Sequence, residues 1–258
     1  MDRTDVAYLI NSTPKYYYLL DFHLTLLKRY APELKWKLFI ASEVPEHPVL
    51  QKIKTRYPDV CIIPLTEEYE GFIESRFMGT NLLPPEIKYV FPIQEDFLLE
   101  ARPGESYIQE ALQIFDTYKS VQSIRLMPCP GPKGNKFFQN SHFKILEYDT
   151  DDMIFTYQAT LWKREAYQNF MGALSEKLVG MTPEQKRKAS IQDNIAEIAV
   201  GQKILVSQNQ THLAYPREGR QPNAVYLCPW PYRPTAVVKG KLEDWALDLS
   251  KREAFFLE

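Results

Sequence analysis

"VAYLINSTPKYYYLLDFHLTLLKRYAPELKWKLFIAS", residues 6–42, changes its hydrophobic period twice within one short stretch. Val6 to Ile10 form an unbroken apolar run, the pattern of a strand buried on both faces. The run stops at "NSTPK", where Pro14 and small polar residues end it. Tyr16, Leu20, Leu24 and Leu27 then recur at helical spacing with charges between them, which predicts an amphipathic helix to about Tyr30. "WKLFIA" reads as a second strand that closes on Ser42 and Glu43. Strand, helix and strand in this order make the unit from which parallel sheets are built.

The alternation continues outward. A helix around Leu50 to Arg56 precedes a third strand, "VCIIPL", and a helical segment from Phe72 to Leu83 is broken by Pro84 and Pro85. "IKYVFPI" is then the fourth strand. Pro92 within it has no N–H for a ladder bond, so the strand should be irregular or at an edge there. In such sheets ligands gather outside the carboxyl ends of the strands. Asn11, Ser12 and Thr13, then Ser42 and Glu43, then Gln94, Glu95 and Asp96 all stand at those ends. Strand alternation would send Glu95 and Asp96 to opposite faces. One of the two is then the direct ligand of an ion; Asp96 is the preferred one, with Glu95 acting through water or orienting its neighbours.

Composition narrows the partners. The chain has 258 residues, 45% of them hydrophobic, and a net charge of −2, so it can fill one large core and carries no basic excess for nucleic acid. Ten glycines include neither a GxGxxG nor a GxxxxGK[ST] pattern. A bound diphosphate would therefore need another partner, and a divalent cation on carboxylates answers that need. Three separated cysteines and four scattered histidines give neither a disulfide frame nor a zinc motif. No run approaches the ~20 apolar residues of a membrane span, "MDRTDVAYLI" lacks a signal peptide's long apolar centre, and the separated cysteines read as the reduced thiols of a cytoplasmic protein. The Pro/Gly-rich "MPCPGPKGN" at Met127 to Asn135 divides a single domain, 1–258, into a first part, 1–126, and a second, 127–258, that ends in a helix over Leu242 to Phe256. That stretch is either a connector or a cover for the donor.

A strand, an acidic motif at its end and then an aromatic residue is the layout by which the chain resembles GT-A-fold glycosyltransferases. In those enzymes an Asp-x-Asp-type motif holds a metal on a sugar nucleotide. More narrowly, the chain resembles bacterial and large-virus glycosyltransferase-like proteins with a Gln-Glu-Asp-aromatic segment, matched by Gln94, Glu95, Asp96 and Phe97. "LINSTPKY" is similar to their first strand and nucleotide loop, "SIRLMP" to an Arg-bearing strand, and "YQATLWKRE" to an acceptor-side segment. "NIAEIAVG" is similar to a segment that ends in Glu, and "PYRPTAVVKGK" to a closing Gly-Lys segment. Two departures stand out. Glu-Asp replaces Asp-x-Asp, and Ile195 and Ala196 occupy the stretch where those proteins carry Trp.

The resemblance implies a GT-A-like (Rossmann-like) α/β fold with a mixed, mostly parallel sheet flanked by helices. It implies a nucleotide-sugar donor, a glycan or other hydroxyl acceptor, and Mn2+ or Mg2+ on Asp96 and Glu95. Asn11, Ser12, Thr13, Glu43, Ser75, Gln94 and Arg125 fall on the donor side, and Gln158, Trp162 and Tyr157 on the acceptor side. Glu197 becomes the general base of a direct displacement, with Asp193, four residues earlier on the same helical face, in reserve. The helix that carries them is expected to start at Thr182, with Pro183 and Gln185 completing the cap. Each assignment has a plainer counterpart. The acidic pair also suits an exposed turn, Asp193 and Glu197 a solvated stripe, Tyr157 and Trp162 core aromatics, and Arg125 a structural ion pair. A carbohydrate- or nucleotide-binding module that keeps the fold without the chemistry is the alternative function.

Overall fold

The computed structural model describes residues 3–66, 72–128, 131–151, 153–177, 182, 184, 194–216, 228–233 and 235–256, the side chains of 194–199 excepted. Strands β1 (Val6–Asn11), β2 (Lys37–Ser42), β3 (Val60–Pro64) and β4 (Tyr89–Gln94) alternate with helices α1 (Leu20–Tyr30), α2 (Pro48–Arg56) and α3 (Phe72–Asn81). A 310 helix, Pro14–Leu19, leads into α1, so the expected single helix begins with a tighter turn opened by Pro14. Then come α4 (Glu105–Thr117), β5 (Val121–Arg125), β6 (Lys144–Ile145), β7 (Thr160–Lys163), α5 (Arg164–Glu176), α6 (Asn194–Gln208) and β8 (Thr211–Ala214). A hairpin of β9 (Val237–Val238) and β10 (Lys241–Leu242) and helix α7 (Asp244–Arg252) close the fold.

The main sheet has the order β3-β2-β1-β4-β7-β5-β8-β6. β1 to β5 and β8 run one way, while β6 and β7 run against them. This is the mixed, mostly parallel α/β architecture expected from the sequence. Strand β1 lies inside the sheet and is buried along its whole length, which is why its sequence is continuously apolar. Its side chains feed two cores. Val6, Tyr8 and Ile10 pack with α1, α2, α4 and α7, and Ala7 and Leu9 pack with α3, α5 and α6.

Pro92 is not at an edge. β4 pairs with β1 without interruption, Pro92 opposite Leu9. On its other side the ladder to β7 stops at Val90, two residues before the proline. The missing N–H is thus tolerated where β4 has already parted from β7, and a crevice opens between them. Gly79 lets α3 approach the strand ends: a Cβ there would lie 3.0 Å from Ala41 Cβ and 3.4 Å from Asn11 Nδ2.

Candidate active site

Strand β4 delivers Gln94 to the carboxyl edge of the sheet, and the chain turns at once through Glu95 and Asp96. Because the two acids stand in this turn, strand alternation does not separate them, and both line one cavity of about 700 Å³. They are only 6% and 8% exposed. Burial pushes the Glu95 carboxyl up to about 8, and the neighbouring Asp96 charge adds to the rise. Burial also holds Asp96 above the usual carboxylate range, against the hydrogen bonds that it accepts.

Each acid is held from a different direction. Ser12 Oγ donates to Glu95 Oε1 at 3.2 Å. His23 Nδ1 lies 3.0 Å from the Glu95 carbonyl, an acceptor, so it donates there, and Nε2 accepts from the Tyr8 hydroxyl at 2.7 Å. Burial lowers the His23 pKa to about 4, which keeps the ring neutral in this arrangement. Asp96 Oδ2 accepts from the Thr235 hydroxyl and from Val237 N–H. Asp96 Oδ1 is buried and has no hydrogen-bond partner among the described residues. A buried carboxylate oxygen left in that state calls for a cation or a donor.

The rest of the cavity is aromatic and polar, with a basic rim. Tyr16, Phe72, Phe97 and Tyr157 supply ring surface, and Gln94, Thr156 and Gln158 supply amide and hydroxyl groups. Gln158 Oε1 accepts from Tyr232 OH at 2.5 Å, and Tyr232 stacks on Phe97 with ring centroids 4.9 Å apart. Lys15 and the hairpin tip, Lys239–Gly240, stand at the edge. Arg76 is 5% exposed, with its guanidinium 3.4 Å above the Phe72 ring. Its charge lowers the pKa of both Glu95 and Asp96.

The expected site residues divide. Gln94, Glu95, Asp96, Tyr157 and Gln158 line the cavity together. Asn11 and Ser75 join behind it, Asn11 Nδ2 donating to the Ser75 carbonyl at 3.2 Å, and Ser12 touches Glu95. Thr13 and Glu43 are at strand ends as expected, yet neither lines the cavity. Arg125 does not reach it either. The residue is 2% exposed and its guanidinium donates to the carbonyls of Met153 and Ile154 at 2.9 and 2.8 Å, so that segment covers it. Trp162 stacks on Phe170 in the core and borders only the crevice beside β4. The Pro/Gly-rich stretch 127–135 gives no described residue to the lining, and Lys133 N–H is tied to Asp151. Asp193, Pro183 and Gln185 lie outside the described residues, as does the Glu197 side chain; the Glu197 backbone is in the first turn of α6.

Lys15, Tyr16, Thr235 and Val237 to Gly240 lie within the matched "LINSTPKY" and "PYRPTAVVKGK" segments but were not assigned as site residues, and Phe72, Met153 and Thr156 were missed outright. The β-branched pair Val237–Val238 running into the glycine-bearing turn Lys239–Gly240 was a partial hairpin signal. Phe72, Met153 and Thr156 had none, because α3 and the irregular segments are brought to the cavity by tertiary packing.

Among the described residues no group of three or more His, Cys, Asp or Glu converges as a metal cage. Two carboxylates suffice for an ion that takes its remaining ligands from phosphate and water, so Glu95 and Asp96 fit Mn2+ or Mg2+ of that kind. Among the described residues no helix is long and apolar enough to cross a membrane.

No family model matches the chain, and no curated protein matches it. Solved structures with a similar chain path include residues 1–349 of Staphylococcus aureus TarS, at 11% identity, 90% of this chain, 60% of that chain and a TM-score of 0.49. A Pyrobaculum calidifontis mannosyltransferase in complex with GDP-Man and Mn2+ is similar at 13% identity over 83% of this chain and 55% of that chain, TM-score 0.47. The 4-diphosphocytidyl-2C-methyl-D-erythritol synthase of Anaerococcus prevotii is similar at 9% identity over 84% of this chain and 88% of that chain, TM-score 0.48. The chain thus spans less than two thirds of the length of TarS 1–349 and of the mannosyltransferase. At these scores the likeness is one of loose chain path, and the chemistry rests on the cavity's own residues.

Proposed function

We propose that the protein is a GT-A-like, nucleotide-sugar-dependent glycosyltransferase acting on a glycan or other hydroxyl acceptor in the cytoplasm. One observation carries the reading. A buried carboxylate oxygen without a partner, Asp96 Oδ1, sits beside a second acid on a cavity of about 700 Å³ at the carboxyl ends of parallel strands. The acids lie inside a basic rim, the arrangement that a cation-bridged diphosphate would complete.

In this reading residues 1–126 form the donor half and 127–258 the acceptor half. Asp96 and Glu95 hold Mn2+ or Mg2+, which when bound neutralises the charge on a departing diphosphate. Lys15 and Lys239 receive phosphate oxygens at the rim. Asn11, Ser12, Thr13, Glu43 and Ser75 shape the nucleoside end of the same edge, and Gln94 bridges the two. Tyr157 offers a ring for the C–H face of a sugar, and Gln158, oriented by Tyr232, bonds its hydroxyls. Trp162 and Arg125 act through the wall, Arg125 by fixing the 153–154 segment. Glu197, with Asp193 as its neighbour, takes the proton of the attacking hydroxyl, and inversion follows from such a direct displacement.

The test is a panel of UDP-, GDP-, dTDP- and CMP-sugars with and without Mn2+, read by thermal shift and by release of nucleoside diphosphate. One donor should stabilise the fold and be turned over with Mn2+, and Asp96→Ala should abolish turnover while leaving the fold intact. Stabilisation without release would leave a binding module instead. A flat response to every donor, or full activity of Asp96→Ala, overturns the reading.

A further inference from the structure

Thr235 adopts φ +56°, a left-handed backbone that a β-branched residue rarely takes. Neither Gly nor Asn, the residues suited to that conformation, occupies the position. Strain of this kind persists only where surrounding contacts impose it.

Three of the contacts that hold this segment are with the acidic turn. The Thr235 hydroxyl reaches Asp96 Oδ2, Ala236 N–H donates to the Asp96 carbonyl at 2.9 Å, and Val237 N–H reaches Oδ2 at 3.3 Å. Three consecutive residues thus clasp both the main chain and the side chain of one aspartate. The hydroxyl has a single proton and two acceptors in range, Asp96 Oδ2 and the Val237 carbonyl at 3.1 Å. A carboxylate is the stronger acceptor. The hairpin that follows is closed at its base by Glu243 N–H on the Ala236 carbonyl at 2.8 Å, and its tip lines the cavity.

We infer that Thr235 is a positioning residue for Asp96. Its strained backbone aims the hydroxyl so that, with Val237 N–H, one carboxylate oxygen is fixed and the other is kept without a protein partner for the ligand. This deepens the transferase reading and rests on it for the identity of the ligand. The clasp itself is a property of the free protein and can be measured without one.

The experiment compares Thr235→Val, which keeps the shape and removes the hydroxyl, with Thr235→Ser, which keeps the hydroxyl. Mn2+ binding, alone and with UDP, is read from the electron paramagnetic resonance of the free ion. Melting temperatures of the apo-protein are read in a cycle of Thr235→Val with Asp96→Asn. Thr235→Val should weaken Mn2+ binding at least tenfold and Thr235→Ser less than threefold. The melting-temperature loss of Thr235→Val should at least halve in the Asp96→Asn background. Equal Mn2+ affinity in the Val and Ser variants, or additive melting-temperature losses, overturns the inference. Failure of the wild-type protein to bind Mn2+ with or without UDP counts against the transferase reading instead, and the apo cycle then decides the role of Thr235.

Discussion

The two parts of the chain build the same cavity by different means. In the first, β1, β2 and β4 are six-residue strands in regular parallel register, and the site is their carboxyl edge. In the second, β6, β9 and β10 are two residues long and β7 and β8 four. Its contributions to the lining, Met153, Thr156 to Gln158, Thr235 and Val237 to Gly240, come from irregular segments and a hairpin. The floor is therefore a by-product of sheet geometry, whereas the walls depend on individual ties such as Arg125 to Met153 and Thr235 to Asp96. A floor of this kind tolerates local change, and a wall of this kind does not.

The comparison breaks first at Trp230. Although it belongs to the second part, its ring is wholly buried in the core of the first, 4.9 Å from Phe91 and 6.1 Å from Trp36 between ring centroids. Trp230→Ala should cost roughly 3–5 kcal/mol, the scale of an aromatic deleted from a core. Chemical denaturation should register that loss as one cooperative transition. Two separate transitions would mean that the halves unfold independently and that Trp230 does not join them.

The second test concerns the floor's own cost. Glu95 is raised from 4.5 to about 8 in the fold, mainly by burial. The folded state therefore binds this proton more tightly than the unfolded chain does. Its contribution to stability is fully present below about pH 4.5 and is lost as pH rises through about 8. The metal-free protein should lose on the order of 3 kcal/mol from this group between pH 5 and pH 8. Glu95→Gln should flatten that profile and melt higher than wild type at pH 8. An unchanged slope would place the titration elsewhere.

What the sequence made legible follows the same division. The apolar run Val6–Ile10, the helical spacing of Leu20, Leu24 and Leu27 and the strand before Gln94 are local patterns, and the structure follows them. The acidic turn was legible because a strand end is itself a local event. Phe72 was not, because a helix residue reaches the cavity only through the packing of α3 on β1 and β2. Trp162 and Arg125 stay off the cavity lining for a related reason. A strand pattern does not say whether its end reaches the rim or stays under a neighbouring loop, and the Met153–Ile154 segment covers Arg125.

The smallest expected effect lies at the hairpin tip. Lys239 and Gly240 have φ of +51° and +75°, the two positive angles of a two-residue turn whose twist matches its strands. A Cβ at Gly240 would lie 3.4 Å from Lys15 Nζ, the mobile end of a long side chain, so space is no obstacle. The cost of Gly240→Ala is instead that of placing a second L-residue in the left-handed region, about 1–2 kcal/mol. Only two residue pairs hold β9 to β10, Val238 with Lys241 and Val237 with Leu242. A penalty of that size should therefore open the hairpin locally before it unfolds the protein. Hydrogen exchange of the Val237 to Leu242 amides should quicken several-fold, while the β1 and β4 amides keep their protection and the melting temperature falls by a few degrees. If the β4 amides quickened equally, the hairpin would be part of the sheet's cooperative unit, and the distinction between a floor made by the sheet and a wall tied to it residue by residue would not hold.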